Sequence, residues 1–299
     1  MNSEPKVTVI IPTYARDKEC VYRAINSVLH QTYENLEIIV VDDNAKDEHI
    51  KYRHNVQSLV KEFSDCRIKL IENKTNKGSA ATRNVGIFAS SGAYVTFLDD
   101  DDVYLPDKVK NQLEDMLITG ADYSISDVDL YYTDETVAER RKRTYIKKTD
   151  HDSLLRYHIL YGLSGTNCMM FKREYITSFG GFGDRNFGDD FYLFHKAIEA
   201  QGVFTYLPKC DFKAYVHKQE AGLSIGATKI TGENEVYSFR KKYFYLLTQK
   251  EKRYVRMRHY AVLAYAYKRS GEFFHFVLYG VKAFFNSPIE SLKVYFGVR

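Results

Sequence analysis

Four short runs rich in β-branched and aliphatic residues, 7–11 (VTVII), 36–41 (LEIIVV), 66–71 (CRIKLI) and 93–98 (AYVTFL), recur through the first hundred residues with helical patterns between them. No other feature constrains the fold as strongly. Strands that are apolar along nearly their whole length need cover on both faces, which crossover helices give to a parallel sheet. Helices are expected over residues 20–30, 48–63 and 79–90, so the order is β-α-β-α-β-α-β, a nucleotide-binding type of half. With 299 residues, 44% of them hydrophobic, the chain can bury one large or two modest cores; a disordered tail and a miniprotein are excluded.

Further along, Pro106 suits the first turn of a helix over about 106–117, and YSISDVDLYY (123–132) reads as one more strand. The charged segment 133–148 has a period of two at its end and is expected to form an exposed hairpin. From Asn234 onward the pattern turns helical, with Val236, Phe239, Tyr243 and Leu246 three or four residues apart. Further helices are expected over 250–269, 272–285 and 289–296, broken near Ser270-Gly271 and Asn286-Ser287-Pro288. Charge divides the chain as well. Residues 240–299 hold 13 Lys/Arg against 3 Asp/Glu, while the preceding residues hold 30 against 36. The expected organisation is a catalytic-type domain over 1–232 and a basic, aromatic-rich helical appendage over 233–299.

No apolar run approaches the ~18–20 residues that a bilayer span requires. The VTVII stretch before Pro12 is too short for a signal sequence, so a cytoplasmic chain is expected. Cys20, Cys66, Cys168 and Cys210 have neither ligand-like nor framework spacing, which points to buried thiols.

The most chemical feature is Asp99-Asp100-Asp101-Asp102, placed after the fourth strand, at the edge where open α/β sheets bind ligands. Adjacent carboxylates raise one another's pKa, so something positive has to compensate them. A divalent Mg²⁺ or Mn²⁺ is the economical answer, and a solvated acidic loop is the bland one. Pro12-Thr13-Tyr14 and Asp42-Asp43-Asn44 end the first two strands and share that edge. A tyrosine there can stack on a base and a carboxylate can accept from its ring N–H, though a turn and an N-cap would explain both segments equally well. Asn76-Lys77-Gly78 and Arg83 open the next helix, where an anion is favoured and Lys77 or Arg83 can meet phosphate.

Taken in order, VTVIIPTY, IIVVDD, NKGxxxxRNxG, FLDDDD, GTNCMMFKREYITSFGGF (165–182) and FGDDFYLFHKA (187–197) resemble glycosyltransferase family 2 over residues 7–225. The resemblance implies an α/β fold of the GT-A type, a mostly parallel sheet flanked by helices, here followed by the C-terminal α-helical appendage. It implies an inverting transferase using a nucleotide-diphospho-sugar, with Pro12, Thr13 and Tyr14 lining the base and ribose pocket. Asp43 is then the better candidate than Asp42 for the ring N–H. The family's Asp-x-Asp falls on Asp99 and Asp101, with Asp101 the metal ligand and Asp99 or Asp100 facing ribose or donor sugar. Its Glu-Asp pair falls on Asp189-Asp190, a departure in having aspartate at both places. Counting back from Lys196 places the base at Asp190. Inversion needs such a group to deprotonate the acceptor hydroxyl, although a carboxylate at a helix start also serves as a cap. His217 matches a late histidine near the phosphates and metal, and Gly165-Thr166-Asn167 borders the acceptor.

The expected donor is a UDP-sugar, with a dTDP- or GDP-sugar less favoured, and the expected acceptor is a hydroxyl of a growing glycan. The Phe, Tyr and Lys/Arg enrichment at the end suggests an acceptor at the cytoplasmic membrane face, as on a polyprenyl diphosphate, and the resemblance implies a role in surface-polysaccharide assembly. The appendage, with 15 aromatic residues among its basic ones over 240–299, is suited either to an anionic membrane surface or to inward packing of a helical bundle. Nucleic acid is the less favoured partner, because no binding module is present. A nucleotidyltransferase or dinucleotide-dependent dehydrogenase would place a glycine-rich loop after the first strand, where Pro-Thr-Tyr-Ala-Arg stands instead. The rival from another class is a nucleotide-sugar sensor or membrane-surface scaffold without activity.

Overall fold

The computed structural model describes residues 4–45, 47–185, 187–216 and 226–295. In order the elements are β1 (Val7–Thr13), α1 (Lys18–Leu29), β2 (Leu36–Asp42), α2 (Ile50–Phe63), β3 (Ile68–Glu72), α3 (Ser79–Ala89), β4 (Tyr94–Phe97) and β5 (Val103–Tyr104). Next come α4 (Lys108–Thr119), β6 (Tyr123–Ser126), β7 (Val128–Tyr131), β8 (Val137–Arg141), α5 (His151–Tyr161), β9 (Met169–Lys172), α6 (Arg173–Ser178) and α7 (Asp189–Glu199). The rest are β10 (Phe204–Leu207), β11 (Phe212–Tyr215), α8 (Gly226–Lys242), α9 (Gln249–Arg269), α10 (Phe273–Asn286) and α11 (Pro288–Tyr295). Two units result, one from residues 1–149 and 164–218, the other from 150–163 and 219–299.

The first unit holds a seven-stranded sheet in the order β10-β6-β9-β4-β1-β2-β3 and a four-stranded sheet in the order β5-β11-β7-β8. In the larger sheet every pair is parallel except those that β9 makes with β4 and β6. β1 and β2 are buried along nearly all their length, as strands covered on both faces should be. Pro12 is tolerated inside β1 because of its position. The Ile10 carbonyl accepts from Leu98 N (3.0 Å) where β4 ends, so two residues later the missing N–H faces no strand. Gly86 lets α3 approach β1 closely: a Cβ there would lie 2.5 Å from Ile10 Cγ2.

The expected single strand over 123–132 is two strands in different sheets, β6 and β7, divided at Asp127. The buried Asp127 carboxylate accepts from Arg143 N (2.8 Å) and Tyr206 O–H (2.6 Å), partners that a local pattern does not reveal. The 133–148 hairpin forms where β8 pairs antiparallel with β7, but it is not exposed throughout. Arg143 and Ile146 are buried, and the Arg143 guanidinium donates to the Ser126 and Ser164 carbonyls (2.5 Å each).

In the second unit α9 begins with a capping box between Thr248 and Glu251, and α10 runs along it, Tyr267 and Tyr279 stacking at 5.3 Å. The breaks expected near residues 270–271 and 286–288 are both found. α5, which sequence reading did not anticipate, is capped by Asp150, whose carboxylate accepts from Ser153 N, and pairs Arg156 with Glu251 of α9.

Candidate active site

Because β1, β2 and β4 are parallel neighbours, their C-terminal ends share one edge, and the loops that leave them carry the predicted residues. The four aspartates of that edge do not form an uncompensated block. Asp99 pairs with Arg83 (2.6 Å), while Arg16 reaches Asp100 (3.0 Å) and Asp101 (2.9 Å) with different nitrogens. Asp102 accepts from Tyr215 N of β11 (2.8 Å) and from the Asn167 amide, whose own oxygen accepts from Asp99 N (2.8 Å). Burial pushes the Asp100 carboxyl up to about 6, despite Arg16 beside it and with Asp101 adding to the rise. Asp102 lies well above the usual carboxylate range, through burial and then the charges of Asp101 and Asp99.

Arg16 is a functional candidate that sequence reading missed. Its signal is its place in the loop after β1, where any cation must face the other loops of the same edge. Asn167, expected to border the acceptor, ties both ends of the aspartate run. Gly165, two residues earlier, donates its N–H to the Asp190 carboxylate of α7.

Asp42 and Asp43 part company. Asp42 is fully buried and accepts from Asn44 N (2.6 Å) and Arg53 Nε (3.2 Å). Asp43 organises the loop before α3. Its Oδ1 accepts from Asn73 Nδ2 (2.7 Å) and Lys77 N (2.9 Å), and its Oδ2 from Asn76 Nδ2 (3.0 Å) and Gly78 N (2.9 Å). These donors occupy most of what one carboxylate can accept. Gly78 stands at φ +81°, a conformation that favours glycine, and starts α3 with no side-chain cap. Tyr14 is 39% exposed beyond the end of β1, its ring edge-on to His49 at 4.9 Å.

Arg83, one turn into α3 and only 7% exposed, joins two segments far apart in sequence. One terminal nitrogen pairs with Asp99 and the other with Asp189 (2.8 Å), to which Ser79 Oγ also donates (3.0 Å). Burial opposes the guanidinium charge, but Asp99 and Asp189 outweigh it and hold the pKa above the usual arginine value. The start of α7 is thereby fastened to the aspartate run. Asp190, next in line, accepts from Gly165 N (2.7 Å) and Phe191 N (2.8 Å). Burial, and then the neighbouring Asp189, push its carboxyl up to about 6.

His217 lies outside the described residues. Among the described residues no three His, Cys, Asp or Glu side chains converge as a metal cage. Asp100 and Asp101 share a single guanidinium, and such hard oxygen donors fit an ion whose shell is completed by phosphate oxygens and water.

A family model described as "Glycosyl transferase family 2" matches residues 8–178. The UDP-Glc:alpha-D-GlcNAc-diphosphoundecaprenol beta-1,3-glucosyltransferase WfgD of Escherichia coli is 34% identical over 144 residues, 47% of this chain and 54% of that one. An uncharacterized glycosyltransferase of Haemophilus influenzae is 37% identical over 131 residues, 42% of this chain and 50% of its own. The chain thus spans about half the length of these curated relatives. Among solved structures, S. aureus TarS 1–349 in complex with UDP-GlcNAc superposes with a TM-score of 0.59 over 95% of this chain and 92% of that chain, at 17% identity. That likeness concerns the fold, a mostly parallel sheet flanked by helices and followed by C-terminal helices, and the GT-A type expected from the sequence is the type found.

Proposed function

The chain belongs to glycosyl transferase family 2, and from that premise we propose that it is an inverting enzyme moving a sugar from a nucleotide-diphospho-sugar, a UDP-sugar, to a hydroxyl of a glycan acceptor. The observation that carries this reading is the Arg83 bridge. It brings the Asp99–Asp102 loop and the start of α7 to one edge of the sheet, which a donor site and a base acting on the same reaction require. Asp189 spends its charge on Arg83 and positions the helix start, leaving Asp190 to accept the proton from the acceptor hydroxyl.

Tyr14 offers a half-exposed ring to the base. Asp43 shapes the 73–78 loop whose Lys77 and Gly78 lead into α3, and the amides of that helix start favour phosphate. Mn²⁺ or Mg²⁺ bound at Asp101, with Asp99 or Asp100 toward ribose or donor sugar, would offset charge developing on the departing diphosphate. The names of WfgD and of a second Escherichia coli glucosyltransferase, WfaP, 33% identical over 129 residues, specify a diphosphoundecaprenol-linked acceptor. WcaA of Escherichia coli, 37% identical over 109 residues, is named a "Putative colanic acid biosynthesis glycosyl transferase". These names support a polyprenyl-diphosphate-linked acceptor, a role in surface-polysaccharide assembly, and work at the inner face of the cytoplasmic membrane.

The test is turnover of a UDP-sugar panel by the full chain and by Asp190→Asn. A general base contributes typically 10²–10⁴-fold, so turnover is expected to fall by at least about a hundredfold while UDP still raises Tm. Undiminished turnover by a folded Asp190→Asn protein would remove the base. A chain that binds every donor and turns over none would instead be a nucleotide-sugar binding protein.

A further inference from the structure

Six of the fourteen residues of α10 form a row of large apolar side chains turned to solvent. Phe273, Phe274, Val277, Val281, Phe284 and Phe285 are all exposed, Phe285 to 80%. At 100° per residue they fall within an arc of roughly 120°, and no polar residue interrupts it. The opposite side is committed to α9: Ala283 is buried and Tyr279 stacks on Tyr267. On α11, Ile289 and Leu292 are exposed too. An apolar groove of about 400 Å³ between α9, α10 and α11 is lined by Ala264, Val277, Gly280, Val281, Phe284 and Leu292, so the exposed row and the groove share residues. A face of this extent exceeds the scattered apolar residues of an ordinary protein surface and calls for a partner.

Charge selects among partners. Lys268, Lys282 and Lys293 are exposed on the same three helices, and residues 240–299 carry 13 basic against 3 acidic side chains. A second copy seated on the face would bring like charge against like charge, whereas an anionic surface matches both the apolar row and its basic flanks. Length excludes crossing. α10 has 14 residues, about 21 Å at 1.5 Å per residue, and no described helix is long and apolar enough to span a membrane.

We propose that α10 and α11 are an interfacial docking element that lies in the headgroup region of an anionic bilayer, the apolar row immersed and the groove taking an acyl chain of the leaflet. The proposal does not depend on the transferase reading.

Co-sedimentation of the full chain with phosphatidylcholine vesicles, with and without phosphatidylglycerol, tests it. The unaltered protein is expected to pellet with the anionic vesicles. Phe274→Ser combined with Phe285→Ser is expected to weaken that binding at least tenfold, with circular dichroism, Tm and vesicle-free UDP-sugar turnover unchanged. Should the double variant misfold, Lys268→Gln with Lys282→Gln and Lys293→Gln gives a second measure, in which preference for the anionic vesicles is lost. Equal pelleting by the phenylalanine variant, or unaltered protein that ignores vesicles or treats neutral and anionic ones alike, overturns the proposal. So does a dimer in light scattering that the phenylalanine changes dissolve, since the face would then be covered by a second copy.

Discussion

Arg83 shows how much one side chain can depend on its shape. Lysine at this place would keep the charge but could not hold Asp99 and Asp189 on separate nitrogens of one plane. Arg83→Lys is therefore expected to lower kcat/KM at least tenfold and stability by about 2 kcal/mol, read by steady-state kinetics and thermal unfolding. At Asp190 the upward shift has a definite sign. The carboxyl is protonated, and useless as a base, below about 6, so kcat/KM should fall as pH drops through that value and level off above it. Replacing Asp189 by Asn removes the neighbouring negative charge and should move this limb to lower pH; a limb that stays in place would separate Asp190 from the proton transfer. Residue placements at the sheet edge were legible where the side chain stands in a motif, as at Asp99, Asp101 and Asp190. They were not where the partner lies far off in sequence: Arg16 meets Asp100 and Asp101 more than eighty residues on, and nothing near it announces the pairing.

At the scale of elements, the strands and helices of the first hundred residues were readable because β1, β2 and β4 are buried on both faces and so keep a continuous apolar signature, while β3, at the sheet edge and only half-buried, interrupts its own with Lys69 and Glu72. β6 and β7 were not separable. Both halves are good strand sequence, and the change of sheet is fixed by Asp127, whose partners arrive from residues 143 and 206. α5 had a readable signal that went unused, Leu154, Leu155, His158 and Ile159 behind an Asp150 cap. The contact between α3 and β1 makes a sharp prediction. Alanine at Gly86 gains up to about 1 kcal/mol in helix preference but drives a methyl into Ile10, and overpacking typically costs about 1–3 kcal/mol. Gly86→Ala should therefore lower the urea midpoint; a midpoint that rises would mean that α3 can shift away from the sheet without penalty.

For the whole molecule, the sequence announced a division of charge, and the basic residues of 240–299 do lie in the second unit. It did not announce that residues 150–163 belong there as well, because contiguity along the chain is the natural assumption and α5 breaks it. The electrostatics of the donor edge lead to a prediction for the intact protein. Asp100 and Asp101 lean on one guanidinium, and a divalent ion shared with a diphosphate would relieve them further. Exhaustive chelation should abolish sugar transfer and also the rise in Tm that UDP produces, and Mn²⁺ should restore both. Transfer or a UDP-dependent Tm rise that survives chelation would refute the metal site.

β9 is the single reversed strand of the large sheet, and it begins where β4 ends. A reversed strand is a seam. Because it enters from the edge at which its neighbour leaves, one asparagine at its mouth can clasp both ends of the Asp99–Asp102 run. On the function proposed above, the residues upstream of the seam would handle the activated half of the transfer and those downstream the recipient, with Asn167 as the clasp that keeps the two in register.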